Sequence, residues 1–157
     1  MRFGKGTLVD ASIVKFNAKD PKGGEVSDRD PEAGWTKKGG RYQHGYKAHV
    51  SMDKDSGLIN KTKVTSADVH DSQALLECVD EHDERVYADK AYDKEKDREI
   101  LRKNNINPHL MRRTYQSDSD IQKARKAKLN KAVGKIRGAV EKFFGTTKRS
   151  YGMRQAR

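Results

Sequence analysis

Apolar residues fall in short, separated runs along this chain, and the spacing within each run predicts an element. Thr7 to Phe16 concentrates β-formers (Leu8, Val9, Ile13, Val14) and predicts a strand, interrupted at its centre by Asp10. A carboxylate buried mid-strand costs stability unless something binds it. Asn17 to Arg41 is rich in Gly, Pro and charge and shows no period, which predicts a long loop. Gln43 to Asp53 and Leu58 to Thr65 pattern as two strands joined by a turn from Asp53 to Gly57. Asp71 or Ser72 can cap a helix that runs through Ala74, Leu75, Leu76, Cys78 and Val79 to about His82. Arg85 to Ala88 is a short strand that delivers Asp89 at its C-terminal end. An amphipathic helix from Asp93 to Asn104 and a strand from Ile106 to Leu110 follow. Beyond a polar connection, Ser117 or Asp118 can cap a basic helix toward Lys131. Gly134 and Gly138 weaken the next segment, yet Val133, Ile136, Val140, Phe143 and Phe144 recur at helical spacing and predict a helix ending near Gly145. This order of strand, hairpin, then alternating helix and strand predicts an α/β fold, a mixed β-sheet with flanking helices.

Composition narrows the picture. A chain of 157 residues fits one domain, and with 33% hydrophobic against 36% charged residues its core must be thin. The net charge of +11 is local: residues 121 to 157 carry twelve Lys or Arg against one acid, Glu141, so the first 120 residues are neutral. A basic face at one end suits a polyanion such as DNA, with Lys123, Arg125, Lys126 and Lys128 as candidate contacts, although a basic run is also what a solvated helix face looks like. One cysteine, Cys78, excludes an intramolecular disulfide and a multi-cysteine zinc site, and its apolar surroundings predict a buried core residue. The start of the chain has no apolar run of signal-peptide type, which leads us to expect a cytoplasmic protein.

Three acids stand out by position. Asp10 interrupts a strand, Asp89 ends one, and Glu141 lies on the helix that must pack against the sheet. Three carboxylates brought together repel one another unless divalent cations neutralise them, and oxygen ligands of this kind suit Mg²⁺. Two such ions about 3.5–4 Å apart can activate a water or a 3′-hydroxyl for in-line attack on phosphorus. Acids at strand ends are also common caps and turn formers, so position alone leaves both readings open. Other candidates have plain alternatives too. His49 can lie beside a metal site or simply pack; His70 and Asp71 resemble a base and its orienter, or a helix cap; Trp35 and Tyr42 can stack on bases or pin the loop.

The order of short motifs adds to this. VDASIV around Asp10, RDPE from Arg29 to Glu32, TKKGG from Thr36, HGYKAHVSMD from His44, VTSADVHDS from Val64, VYADKAYD from Val86 and IRGAVEKFFGTTK from Ile136 run through nearly the whole chain. In this order the sequence resembles the bacterial insertion-sequence DDE transposases of the insertion sequence five class, in the group sharing a Y-R-E-K motif. The resemblance implies an RNase H-like fold, dependence on Mg²⁺ or Mn²⁺, and Asp10, Asp89 and Glu141 as the catalytic, metal-holding acids. It implies Arg137 and Lys148 as cations that position phosphate or DNA. Transposon ends and target DNA would be the partners, near the nucleoid, with a homodimer conceivable for the full-length parent. Gly134 stands where many relatives carry the tyrosine of the motif. The resemblance further leads us to expect one catalytic core over residues 1–157, without the N-terminal helical region and the last apolar helix of such proteins. The activity expected is DNA strand cleavage and strand transfer. Its rivals are an inactive remnant that only binds DNA, and a Holliday-junction resolvase, against which the Arg137, Glu141 and Lys148 spacing argues.

Overall fold

The computed structural model describes residues 5–16 and 30–156. Its strands are β1 (Thr7–Phe16), β2 (Gly34–Lys38), β3 (Arg41–Asp53), β4 (Ile59–Ser66), β5 (Arg85–Ala88), β6 (Asn107–Leu110) and β7 (Gln155–Ala156), and its α-helices are α1 (Leu75–Cys78), α2 (Glu95–Lys103) and α3 (Asp120–Ser150). They form one mixed sheet. β1 lies antiparallel to β3 on one edge and parallel to β5 on the other, β5 continues parallel to β6, and β4 closes the far side of β3. Three antiparallel strands followed by two parallel ones, with helices on both faces, make the RNase H-like α/β arrangement that the sequence led us to expect.

The core is thin and split by the sheet. Alternation along β1 sends Val9 to one face, where it packs with Leu75, Cys78, Tyr92, Leu101 and Ile106, and Leu8 to the other, with Val50, Met52, Tyr87, Val133, Val140 and Phe144. Helix α3 covers the second face. Cys78 is a buried free thiol, and burial pushes its pKa up.

Three expectations need correction. The loop expected from Asn17 to Arg41 contains strand β2, which pairs with the start of β3 from Gly34↔Gly45 to Lys38↔Arg41; residues 17–29, including Arg29 of the RDPE motif, lie outside the described residues. The helix expected to reach His82 is a 3₁₀ turn (Asp71–Gln73), capped by the ring of His70, and then four residues of α1. It stops because the backbone of Val79 is extended. The Asp83 carboxylate accepts the Asp80 N–H at 2.8 Å, and Lys61 donates to the Val79 carbonyl at 2.8 Å. The two helices expected between Ser117 and Gly145 are one, and it continues to Ser150. Its cap is Ser119, which shares a capping box with Gln122. Gly134 and Gly138 cost helix propensity, roughly 1 kcal/mol each. Burial of Val133, Arg137, Val140 and Phe144 on the sheet-facing side offsets that cost. The Asp53–Gly57 turn is as expected: Asp53 Oδ1 accepts from the Ser56 N–H at 2.7 Å, and Gly57 sits at φ 71°.

Among the described residues, no helix is long and apolar enough to cross a membrane.

Candidate active site

The register of the sheet places the first two acids side by side. β5 pairs with β1 only through Thr7↔Val86, Leu8↔Tyr87 and Val9↔Ala88, so Asp10 and Asp89 each stand one residue past the last pair of two neighbouring parallel strands. Asp10 shares its face of β1 with Leu8, the face that α3 covers. On α3, Arg137 and Glu141 are one turn apart.

All three carboxylates meet at one guanidinium. Arg137, its side chain only 6% exposed, reaches Asp10 at 3.0 Å, Glu141 at 3.6 Å and Asp89 at 3.9 Å. Asp10 also accepts the Ala11 N–H at 2.9 Å, and Asp89 caps the turn after β5 by accepting the Lys90 N–H at 2.6 Å. Burial raises the pKa of Asp10; Arg137 and the Ala11 N–H oppose the rise, and the charges of Asp89 and Glu141 add to it. Asp89 is thus both a turn cap and a member of the cluster.

Among the described residues, no set of three His, Cys, Asp or Glu side chains is drawn close enough to hold a cation, because the guanidinium stands between the carboxylates. The donor set nevertheless fits a hard divalent ion. It offers carboxylate oxygens, and one guanidinium leaves part of their formal negative charge uncompensated. Asp10, Asp89 and Glu141 could hold such an ion once Arg137 gives way.

Lys148 lies further along α3. Burial depresses its pKa, Lys38 and Arg154 nearby depress it further, and Asp10 partly offsets them. Lys38 and Arg154 carried no assigned role in the sequence; TKKGG supplied the one signal for Lys38. The four basic candidates Lys123, Arg125, Lys126 and Lys128 are not part of this cluster. They precede Glu141 by 13 to 18 helical residues, which is roughly 20–27 Å. Lys126 is paired with Asp118 at 2.7 Å and lies over the Tyr115 ring, and Lys123 lies 3.9 Å from Asp120, whereas Arg125 and Lys128 are exposed.

His49, His70 and Asp71 have structural roles. His49 is fully buried, with Nε2 2.9 Å from the Thr65 hydroxyl, and burial lowers its pKa. His70 caps the 3₁₀ turn, and Asp71 pairs with Lys47 at 2.9 Å, so the two do not form a base and its orienter. Trp35 packs on His44 at 5.0 Å between ring centroids, while Tyr42 remains 67% exposed.

With this geometry in place, comparison with protein families gives one finding. The family model described as Transposase DDE domain matches residues 2–157.

Proposed function

The chain belongs to the transposase DDE domain family, and from that premise we propose that it cuts and rejoins DNA through Asp10, Asp89 and Glu141. One observation carries this reading most: acids from β1, the end of β5 and α3, far apart in sequence, lie within 4 Å of a single buried cation. The three carboxylates would hold two Mg²⁺ or Mn²⁺ ions, which when bound supply Lewis-acid activation of the attacking hydroxyl and of the leaving oxygen.

The chain's own residues do the rest. Until an ion takes its place, Arg137 holds the carboxylates together against their mutual repulsion. Lys148, its charge disfavoured by burial and by Lys38 and Arg154, gains by pairing with a phosphate oxygen and so positions the scissile group. Water attacking phosphorus in line displaces the 3′ oxygen and exposes a 3′-hydroxyl; that hydroxyl then attacks a phosphodiester of target DNA in line, forming a new P–O bond as the bond to the target strand's own 3′ oxygen breaks and that oxygen leaves as a hydroxyl. The substrate would be the ends of an insertion sequence.

A second reading, a remnant that holds DNA without cutting it, draws on the placement of Arg137 where a cation would bind. Nicking of a labelled duplex in Mn²⁺ separates the two. The catalytic reading predicts nicking by the wild type and none by Asp10→Asn or Glu141→Gln. Nicking that persists in both variants would refute the assignment. A wild type that binds but does not nick would favour the remnant.

A further inference from the structure

Three successive residues between β6 and α3 tie together the pieces that carry the acids. The Met111 N–H donates to the carbonyl of Ala88, the last residue of β5, at 3.0 Å. Arg112 is bracketed by the side-chain amide of Asn130 on α3: its N–H donates to Asn130 Oδ1 at 2.8 Å, and Asn130 Nδ2 donates to its carbonyl at 2.9 Å. Arg113 reaches the turn that follows Asp89, its N–H donating to Asp93 Oδ2 at 3.1 Å and its Nε to the Lys90 carbonyl at 3.0 Å. Buried Arg98 holds Asp93 from its other oxygen, donating to Oδ1 at 2.8 Å and to the Leu110 carbonyl at 2.8 Å.

Asn130 stands on the same stripe of α3 as Val133, Arg137, Val140 and Phe144, about two turns before Arg137 and roughly 17 Å along the axis before Glu141. Apolar burial of Val133, Val140 and Phe144 chooses the face of α3 that meets the sheet, but it is non-directional and opposes sliding along the axis only weakly. Gly134 and Gly138 add no steric stop, since a Cβ at either would meet nothing within 4 Å among the described residues. The contacts of Arg137 with the carboxylates also hold the helix in register, yet they are the contacts an ion displaces. The Asn130 bracket is directional, lies outside the carboxylate cluster and does not compete with an ion.

We propose that Asn130 is a positioning residue: it sets α3 against the Asp89 turn and so brings Glu141 within reach of an ion held by Asp10 and Asp89. The proposal rests on the three-acid reading above. The sheet fixes Asp10 and Asp89 on neighbouring strands, whereas Glu141 arrives on a helix. A slip of one helical residue would shift Glu141 by about 1.5 Å and turn it by about 100°.

The test is binding of Mn²⁺ alone to the full chain, read from the electron paramagnetic resonance signal of the free ion at a temperature where the variants are folded. Asn130→Leu removes both bonds of the bracket and should raise the Mn²⁺ dissociation constant about tenfold, the scale on which partners of metal ligands act. Asn130→Asp keeps the acceptor for the Arg112 N–H and loses only the donor to its carbonyl, so its rise is smaller; it carries the test if Asn130→Leu does not fold. Ser119→Ala removes the cap of α3 and lowers the melting temperature without touching the bracket, and it leaves Mn²⁺ binding unchanged. Lowered melting temperatures with unchanged Mn²⁺ affinity in the Asn130 variants would make the bracket a structural contact only and overturn the proposal, with the three-acid reading intact. Equal weakening in Ser119→Ala would overturn it as well. No Mn²⁺ binding by the wild type, or binding that Glu141→Gln leaves unaltered, would overturn the three-acid reading and this proposal with it.

Discussion

Arg137 is the residue on which the candidate site turns, because its buried guanidinium is, among the described residues, the one cation within 4 Å of all three carboxylates. Removing one partner of a fully buried charge cluster typically costs about 3–5 kcal/mol; here the cost is smaller, because Asp89 and Glu141 are partly exposed and water screens them, and it falls mainly on the largely buried Asp10. Arg137→Met should therefore lower the melting temperature of the metal-free protein and enlarge the stabilisation that Mg²⁺ gives, since the ion then has no guanidinium to displace. Equal Mg²⁺ responses in variant and wild type would show that the guanidinium does not occupy a cation's place. His49 supports a second prediction. Its pKa is lowered by burial, so the folded state favours the neutral ring. The unfolded chain binds that proton more readily, from about pH 6.5 downward, and stability falls with pH through that window. His49→Gln should flatten the fall in urea-melt stability between pH 7 and 5; an unaltered pH profile would contradict the burial argument. Asp10 was legible in the sequence because a carboxylate inside an apolar strand is anomalous. The meeting of Asp10 with Arg137 was not, because no local pattern links residues 127 positions apart.

Strands were legible where β-forming residues cluster in a short run. β1 and β5 have the predicted bounds because Leu8 and Val9, and Tyr87 and Val86, pack into the core on opposite faces of the sheet, so the runs are apolar rather than alternating. β2 escaped because GWTKK is short, basic and half exposed, held by pairing with β3 rather than by burial. The length of α3 escaped because its two glycines argue locally against a continuous helix, while the decisive term is packing across the sheet. An added Cβ at Gly138 meets nothing within 4 Å, and its backbone is helical. Gly138→Ala should accordingly stabilise the protein by roughly 1 kcal/mol, a rise in melting temperature of about 2–4 °C. A lower melting temperature would mean that close approach at this point matters to the fold or the site.

Across the whole molecule, charge and acids are segregated: a basic α3 and C-terminal stretch, neutral sequence before it, and the carboxylate cluster where β1, β5 and α3 meet. The basic start of α3 lies roughly 20–27 Å from Glu141, so under the proposed function it would grip duplex away from the cut. Lys126 is already paired with Asp118, so Arg125 and Lys128 would carry more of that grip. Arg125→Ala, Lys128→Ala should flatten the salt slope of duplex binding by about 1.8, two contacts at 0.9 each; no flattening would make this a solvated face. The central claim, a divalent-ion site formed by Asp10, Asp89 and Glu141, is tested most directly by thermal melts of the full chain with and without Mg²⁺ at fixed ionic strength. With millimolar affinity, about 10 mM Mg²⁺ stabilises the wild type by roughly 1.4 kcal/mol, a shift of a few degrees. The account predicts that this shift shrinks in both Asp89→Asn and Glu141→Gln; shifts in both variants equal to that of the wild type would contradict it.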